Sequence, residues 1–273
     1  MAGDREGTAM ALVAYGATVS GRGAVLLPPT DVVAEAGRVT VVAGPLGPSS
    51  TAFALALAGR VRLSGGRVTW DEQTGAALRR RKVALVDLPG VTEPEEGLSV
   101  RNVVAQELTL AGRRLRRRDV RDFLAERRSS YLSDWRWDRV PAASRTLWLT
   151  ELALRNPNVE AVVVAHPDRW GGDARIWFDP LRRLDRQGVV LVVMCTEATA
   201  RLLGSEPTYR IGGAAGGDPW ERVPSASTHP DVAGPRRARV HRDRDPRRAW
   251  GRPRRASYAL TGAGELDQRE ENA

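Results

Sequence analysis

The segment 44–51, GPLGPSST, has the length and glycine spacing of a loop that cradles phosphate groups. It directly follows the apolar run VTVVA and precedes AFALALAGR, which favours a helix. In such loops, backbone N–H groups and the start of the next helix bind the phosphates, while a lysine reaches the terminal ones. Gly44 and Gly47 are in place, and Thr51 stands where a hydroxyl would meet Mg²⁺. Taken alone, the segment fits a phosphate site and an ordinary strand, turn and helix equally well.

The same loop lacks several groups that phosphate chemistry needs. Ser50 stands at the lysine position, Ser49 replaces a glycine, and Pro48 has no N–H to donate. Lys82, the only lysine, begins a predicted strand, whereas ligands of open α/β sheets bind beyond the carboxyl ends of the strands. One lost charged hydrogen bond is worth about 1.5–3 kcal/mol, or about ten- to a hundredfold in affinity. We therefore expect weak nucleotide binding at most and no efficient turnover.

The composition is typical of one globular domain in a reducing compartment. The chain has 273 residues, of which 42% are hydrophobic and 27% are charged. Its start, MAGDREGTAM, lacks the apolar stretch of a secretory signal, and the longest apolar run, 189–195, is shorter than the about 20 residues that span a bilayer. The single cysteine, Cys195, excludes an internal disulfide framework. We therefore predict a cytoplasmic location.

The pattern along the chain predicts a layered α/β domain followed by a tail. From Leu12 to about Gly212, β-rich apolar runs alternate with helical ones, and the runs 82–87, 159–165 and 189–195 predict buried parallel strands. The polar, arginine-rich stretch 95–141 predicts an inserted helical subdomain. Residues 213–273 are rich in Gly, Pro and Arg, which predicts a disordered tail. Much of the net charge of +9 lies in 236–255, which contains ten arginines and two aspartates.

Several segments in a fixed order carry a family resemblance. Over about residues 10–212, the chain resembles the nucleotide-binding subunit of an ATP-binding-cassette (ABC) transporter. The matching segments are GPLGPSSTAFALALAGR, LSGGRVTW, KVALVDLPGVTEPEEGLSVRNVV, LWLTELALRNPNVEAVVVAHPDR and DRQGVVLVVMCTEAT. The resemblance implies a P-loop NTPase-like layered sheet, with residues 1–212 as a degenerate nucleotide-binding domain.

The chain departs from this family's pattern at the positions that do its chemistry. The family's glutamine falls on Asp87 or Leu88, its signature glycines on 139–143 (RVPAA), its aspartate and glutamate on Ala165 and His166, and its switch histidine on Cys195. Phosphoryl transfer needs a bridging metal, an oriented water and cations for the developing charge. Loss of one such group costs about a hundred- to a thousandfold in rate. We therefore predict no ATPase activity, no catalytic residue and no metal-binding residue.

What remains of the family's site is a set of nucleotide-binding positions. The resemblance implies weak binding of ATP and Mg²⁺ through the loop and through an aromatic side chain that would stack on adenine. These residues are Gly44, Gly47, Ser49, Ser50, Thr51 and Tyr15. The residue types also allow other roles. Thr51 fits a helix cap, His166 a general base or a loop histidine, and Cys195 a reactive thiol or a small buried side chain.

Three functions are compatible with these observations. The first is a structural or regulatory cytoplasmic partner of a transmembrane permease, located at the inner face of the membrane, with 95–141 as the docking part. The second is the noncatalytic ATP-binding half of an asymmetric dimer, paired with a competent ABC ATPase subunit; a homodimer is a further arrangement. The third is binding of nucleic acid or anionic lipid through the arginines of 236–255.

Overall fold

The computed structural model describes residues 10–213, with gaps at 22, 113, 185–187 and 205–207. The predicted tail lies outside the described residues from 214 onward. The strands are β1 (Ala11–Gly21), β2 (Ala24–Glu35), β3 (Val39–Ala43), β4 (Gly65–Trp70), β5 (Val83–Val86), β6 (Ala161–Ala165), β7 (Val190–Cys195) and β8 (Thr208–Arg210). The α-helices are α1 (Pro48–Leu57), α2 (Ala76–Lys82), α3 (Val100–Leu110), α4 (Arg117–Glu126), α5 (Ala142–Ala153), α6 (Ala174–Leu181) and α7 (Glu197–Leu203).

A five-stranded sheet in the order β5-β6-β7-β3-β8 forms the centre of the fold, and its neighbouring strands are parallel. Every residue of β3, β6 and β7 is buried. Strands that are covered on both faces read as continuous β-branched runs, which is why these three were predictable from the sequence. The predicted α/β layering is confirmed.

A second sheet, in the order β2-β1-β4, is antiparallel and shares an apolar core with one face of the parallel sheet. Helix α1 contributes Phe53 and Leu57 to that core. At its bulge, β1 passes so close to β4 that a Cβ on Gly66 would lie 2.2 Å from the carbonyl oxygen of Gly16. Glycine is therefore required at position 66, where the backbone also has a positive φ of 70°.

The opposite face of the parallel sheet packs against α3, α4, α5 and α6 through a separate apolar cluster. Apart from residue 113, the stretch 95–141 folds into α3, α4, two 3₁₀ turns (Ser130–Leu132 and Trp137–Arg139) and a single β-bridge. This agrees with its predicted helical character. One sequence expectation was wrong, because Lys82 ends α2 instead of beginning a strand. The run AALRRRK consists of good helix formers, and β5 begins only at Val83.

Candidate functional site

The segment 44–51 contains the turn between β3 and α1 and the first turn of α1, at the carboxyl edge of the parallel sheet. Gly44 donates its N–H to the carbonyl of Cys195 at 2.9 Å, which extends the pairing of β3 with β7. A Cβ at this position would lie 2.6 Å from Cδ1 of Ile211, so a side chain there would displace its neighbour. Gly47 is the N-cap of α1, with a φ of 147°, and Pro48 is the first helical residue. The strand, turn and helix of the predicted phosphate loop are therefore present.

The Ser50 side chain faces the loop itself. It is 1% exposed, and its hydroxyl donates a hydrogen bond to the carbonyl of Pro45. Thr51 donates its N–H to the carbonyl of Gly47 at 3.1 Å. Helix geometry leaves the N–H groups of Ser49 and Ser50 without intrahelical acceptors. The loop therefore keeps the positive end of a helix but places no cationic side chain at the lysine position.

The residue that follows β6 has a left-handed backbone and a buried ring. His166 has φ 47° and ψ 57°, and it is 1% exposed. Its Nδ1 lies 3.7 Å from Oδ1 of Asp168, while Oδ2 of that carboxylate accepts hydrogen bonds from N and Oγ1 of Thr196 at 2.8 and 2.7 Å. Burial alone would raise the pKa of Asp168, but His166 and the threonine donors outweigh it and hold the pKa below its ordinary value. Asp168 is therefore an ionised side chain that fixes the start of α7.

A buried charge network connects the segments that follow β5 and β6. Nη2 of Arg169 lies 2.8 Å from Oδ1 of Asp87 and 3.0 Å from Oε1 of Glu93. Nη1 donates to the carbonyl of Ala165 at 2.9 Å, and Trp170 donates its indole N–H to Asp87 at 3.2 Å. Burial raises the pKa of Asp87, and the charge of Arg169 opposes that rise. The charge of the Asp87 carboxylate is therefore balanced by Arg169 within the chain.

Arginine side chains also cover the indole ring of Trp170. The guanidinium carbons of Arg145 and Arg169 lie 4.2 and 4.5 Å from the ring centroid. Sequence reasoning missed this group, because it treated Asp87 only as a missing glutamine and did not consider Arg169. The segment PDRW could have indicated it, because it is charged and follows the buried strand β6. The carboxyl ends of β5 and β6 lie at the same edge of the parallel sheet, which brings this segment close to Asp87.

The fold of this chain is similar to that of several solved structures. No family model matches the chain, and no curated protein matches it. The structure of MJ1267, an ATP-binding cassette of an ABC transporter in its ADP conformation, is similar with a TM-score of 0.57 at 15% identity, over 76% of this chain and 89% of that one. CbiO1 from Clostridium perfringens, part of the ABC transporter complex CbiONQ, has a TM-score of 0.56 at 15% identity, over 76% of this chain and 86% of its own. The chain has the fold of an ATP-binding cassette.

A third similar structure is that of MJ0796, a bacterial ABC transporter cassette solved as a dimer. Its TM-score is 0.57 at 15% identity, over 73% of this chain and 94% of that chain. The predicted P-loop NTPase-like layered sheet is thereby confirmed. Within the described residues, no helix is long and apolar enough to cross a membrane. The same part of the chain contains no group of three or more His, Cys, Asp or Glu side chains that could hold a metal ion.

In this cassette fold, the six predicted nucleotide-binding residues lie in two places. Gly44 and Gly47 lie in the turn between β3 and α1, and Ser49, Ser50 and Thr51 lie in the first turn of α1. The sixth, Tyr15, lies in β1 of the antiparallel sheet, and the guanidinium of Arg67 lies 5.0 Å from the centroid of its ring. One face of the aromatic ring is therefore already covered by a cation. The role of these six residues in binding stays a prediction.

Cys195 ends β7 in the cassette fold and is 0% exposed. Burial, and to a lesser extent the charge of Asp168, raises the pKa of its thiol to about 12. A thiol must ionise to act as a nucleophile or to be oxidised readily. The geometry therefore favours the small buried side chain over the reactive thiol, the two roles that the sequence left open.

A cleft of about 610 Å³ separates β5, at the edge of the parallel sheet, from the C-terminal half of α3. Val91 and Leu110 line it, although they are 49% and 69% exposed. Glu107 also lines the cleft, and burial, followed by the nearby charge of Asp87, raises the pKa of its carboxyl to about 7. The cleft is therefore lined by both apolar and polar residues, and Arg60, Arg80 and Arg81 contribute charges to it.

Proposed function

We propose that this chain is a cytoplasmic cassette-like subunit that does not hydrolyse ATP and that acts through contacts with a membrane permease. The observation that carries the proposal is the buried ion pair between Asp87 and Arg169. It neutralises the carboxylate that follows β5 and joins it to the segment after β6. A side chain held in this way is not available to orient water beside a terminal phosphate.

The other groups at this sheet edge support the same conclusion. Hydrolysis of a nucleoside triphosphate needs a metal-holding carboxylate, a group that orients water and cations for the transferred phosphoryl group. The corresponding positions hold the methyl group of Ala165, the buried ring of His166 and the inward-facing hydroxyl of Ser50. Among the described residues, no cationic side chain takes the place of the lysine that the loop lacks at Ser50.

A partner role fits the cleft between β5 and α3. CbiO1 is part of a transporter complex, and MJ0796 is a dimer. By analogy, we propose that this chain pairs with a permease and with a second cassette subunit. Exposed Val91 and Leu110 lose contact with water when a helix of the permease enters the cleft, which is the main source of affinity in such an interface.

The hydrolysis part of the proposal is tested with purified full-length protein and Mg-ATP. We expect phosphate release to equal the buffer background, and the Thr51→Ala variant to give the same value. Phosphate release that the Thr51→Ala substitution removes would reveal a working site and would overturn this part.

Calorimetry on the same samples tests the second candidate function, which is ATP binding without hydrolysis. ATP binding without hydrolysis at about millimolar concentration, favoured by the open N–H groups of Ser49 and Ser50, would identify a noncatalytic binding subunit.

The permease part is tested separately by purification from membranes of the native host. We expect a polytopic membrane protein to co-purify with the wild-type chain and to be lost from the double variant Val91→Glu, Leu110→Glu. Each new carboxylate must be desolvated on docking, so retention should fall about tenfold or more. A matched control, Leu202→Glu, changes a 71% exposed leucine on α7 outside the cleft and should retain the partner. Equal retention by all three proteins would contradict docking at the cleft.

A further inference from the structure

A separate groove of about 420 Å³ lies between α3 and α4 and is lined by residues from the first half of α3, whereas the cleft described above is lined by its second half. Its apolar floor is formed by Ala105, Val120 and Leu124, and Leu115 forms one wall while 41% exposed. We call it the α3–α4 groove. Leu124 is 2% exposed and belongs to the core, so the accessible apolar surface of the groove comes mainly from Leu115 and from the partly buried Ala105 and Val120.

The rim of the α3–α4 groove is cationic. Arg101, Arg116 and Arg121 line it. Arg101 pairs with Asp134 and Arg121 with Asp122, but more than half of each of these side chains is exposed, so these pairs are weak and easily exchanged. Among the described residues, the Arg116 guanidinium has no carboxylate partner. The sequence between 112 and 122 contains six arginines and two aspartates, so the occupant that complements this rim is anionic.

Two exposed aromatic side chains lie in the chain segment 130–135, which also contributes residues to the groove. Tyr131 and Trp135 are 71% and 46% exposed, and their rings meet edge to face at 6.2 Å. They belong to the same short segment as Ser130 and Ser133, which line the groove. Exposed Trp, Tyr and Arg side chains around an apolar depression are the residue types enriched at protein interfaces.

From this combination we infer that the α3–α4 groove binds an acidic amphipathic helix of a partner protein. Apolar side chains of such a helix fill the floor, and carboxylates along its flanks pair with Arg101, Arg116 and Arg121. A bilayer surface matches the cationic rim but leaves the concave floor unfilled, and a nucleic-acid backbone matches the rim but leaves apolar surface uncovered. The inference is independent of the proposed function, since it requires neither the absence of hydrolysis nor a permease in the cleft.

The test uses the full-length chain and two fluorescently labelled synthetic helices of about 15 residues, with the same leucine face and either glutamate or lysine elsewhere. We expect the acidic peptide to bind with a Kd below about 1 mM in fluorescence anisotropy, and the basic peptide not to bind. The double variant R116E/R121E should weaken binding at least about tenfold, because two attractive contacts become repulsive. Leu115→Ser should weaken it as well, since the wall of the groove loses apolar surface.

The matched control is R182E/R183E, which reverses two exposed arginines after α6 and should leave the affinity unchanged. All variants change exposed side chains, and their circular dichroism should equal that of the wild type. If R116E/R121E fails to fold, Leu115→Ser decides the result. Equal binding of both peptides, no acidic binding at about 1 mM, or an equal loss in the control would overturn the inference. Tighter binding of phosphatidylglycerol vesicles or of oligouridine, lost in R116E/R121E, would also overturn it in favour of lipid or RNA.

Discussion

Replacing Arg169 by methionine is expected to lower the free energy of unfolding by about 3–5 kcal/mol. The substitution keeps most of the side-chain length but removes the charge that faces Asp87 and Glu93. Asp87 is 4% exposed, so its carboxylate would remain in the interior without a counterion. Urea unfolding followed by circular dichroism measures the loss. The matched control is Arg201→Met, since Arg201 pairs with Glu197 in an exposed setting, and it should cost less than about 1 kcal/mol.

The pH dependence of the Arg169→Met variant distinguishes a charge effect from a packing effect. Burial raises the pKa of Asp87 above its unfolded value, and the loss of Arg169 raises it further. A carboxyl whose folded-state pKa is raised destabilises the fold increasingly as the pH rises through that pKa, and it costs nothing below the unfolded pKa of about 4. The difference from wild type should therefore be largest at neutral pH and smallest near about pH 4.

A second substitution confirms the source of the effect. Adding Asp87→Asn to Arg169→Met removes the unpaired charge and should recover most of the lost stability at neutral pH. A loss that is constant with pH, or that Asp87→Asn does not relieve, would mean that Arg169 acts through its packing on Trp170 instead. A loss below about 1 kcal/mol would contradict the burial of the pair altogether.

The parallel strands were predictable because burial on both faces restricts their residues to apolar, mostly β-branched types. β6 and β7 are covered on both faces, so a run of β-branched residues was sufficient to identify each as a buried strand. Helix α2 was not predictable in the same way. Its Arg79 is buried and donates to the carbonyls of Val68 and Thr74, whereas an arginine-rich run suggests an exposed segment.

The strand, turn and helix around residues 44–51 were predictable from the sequence, but the contacts at the edge of the sheet were not. The assignment of Ser50, Ala165 and His166 to the family's motif positions stays a prediction. The pairing of Asp87 with Arg169 depends on β5 lying beside β6, and residues so distant in the sequence give no local signal of their contact. The burial of His166 was likewise missed, because a histidine after a strand was taken as a loop residue, and only the fold shows it covered.

The helices between 95 and 141 depend on a cluster of aromatic side chains, and Trp137→Ala is expected to destabilise the fold by about 3–5 kcal/mol. Trp137 is 2% exposed, and its ring lies 6.4 Å from that of Trp148, which in turn meets Phe123 edge to face. Truncation leaves a cavity beside Trp148 that the surrounding helices can fill only in part. Urea unfolding by circular dichroism measures the loss, and the m-value should be unchanged.

Trp135 provides the matched control two residues away. It is 46% exposed, so Trp135→Ala should cost less than about 1 kcal/mol. Hydrogen exchange then locates the damage from Trp137→Ala, because amides in α3 and α4 should lose protection while those in β6 and β7, which rest on the sheet's own pairing, should keep most of theirs. Equal costs for the two tryptophans would contradict the greater burial of Trp137. A uniform loss of protection would mean that these helices and the sheet unfold as one unit.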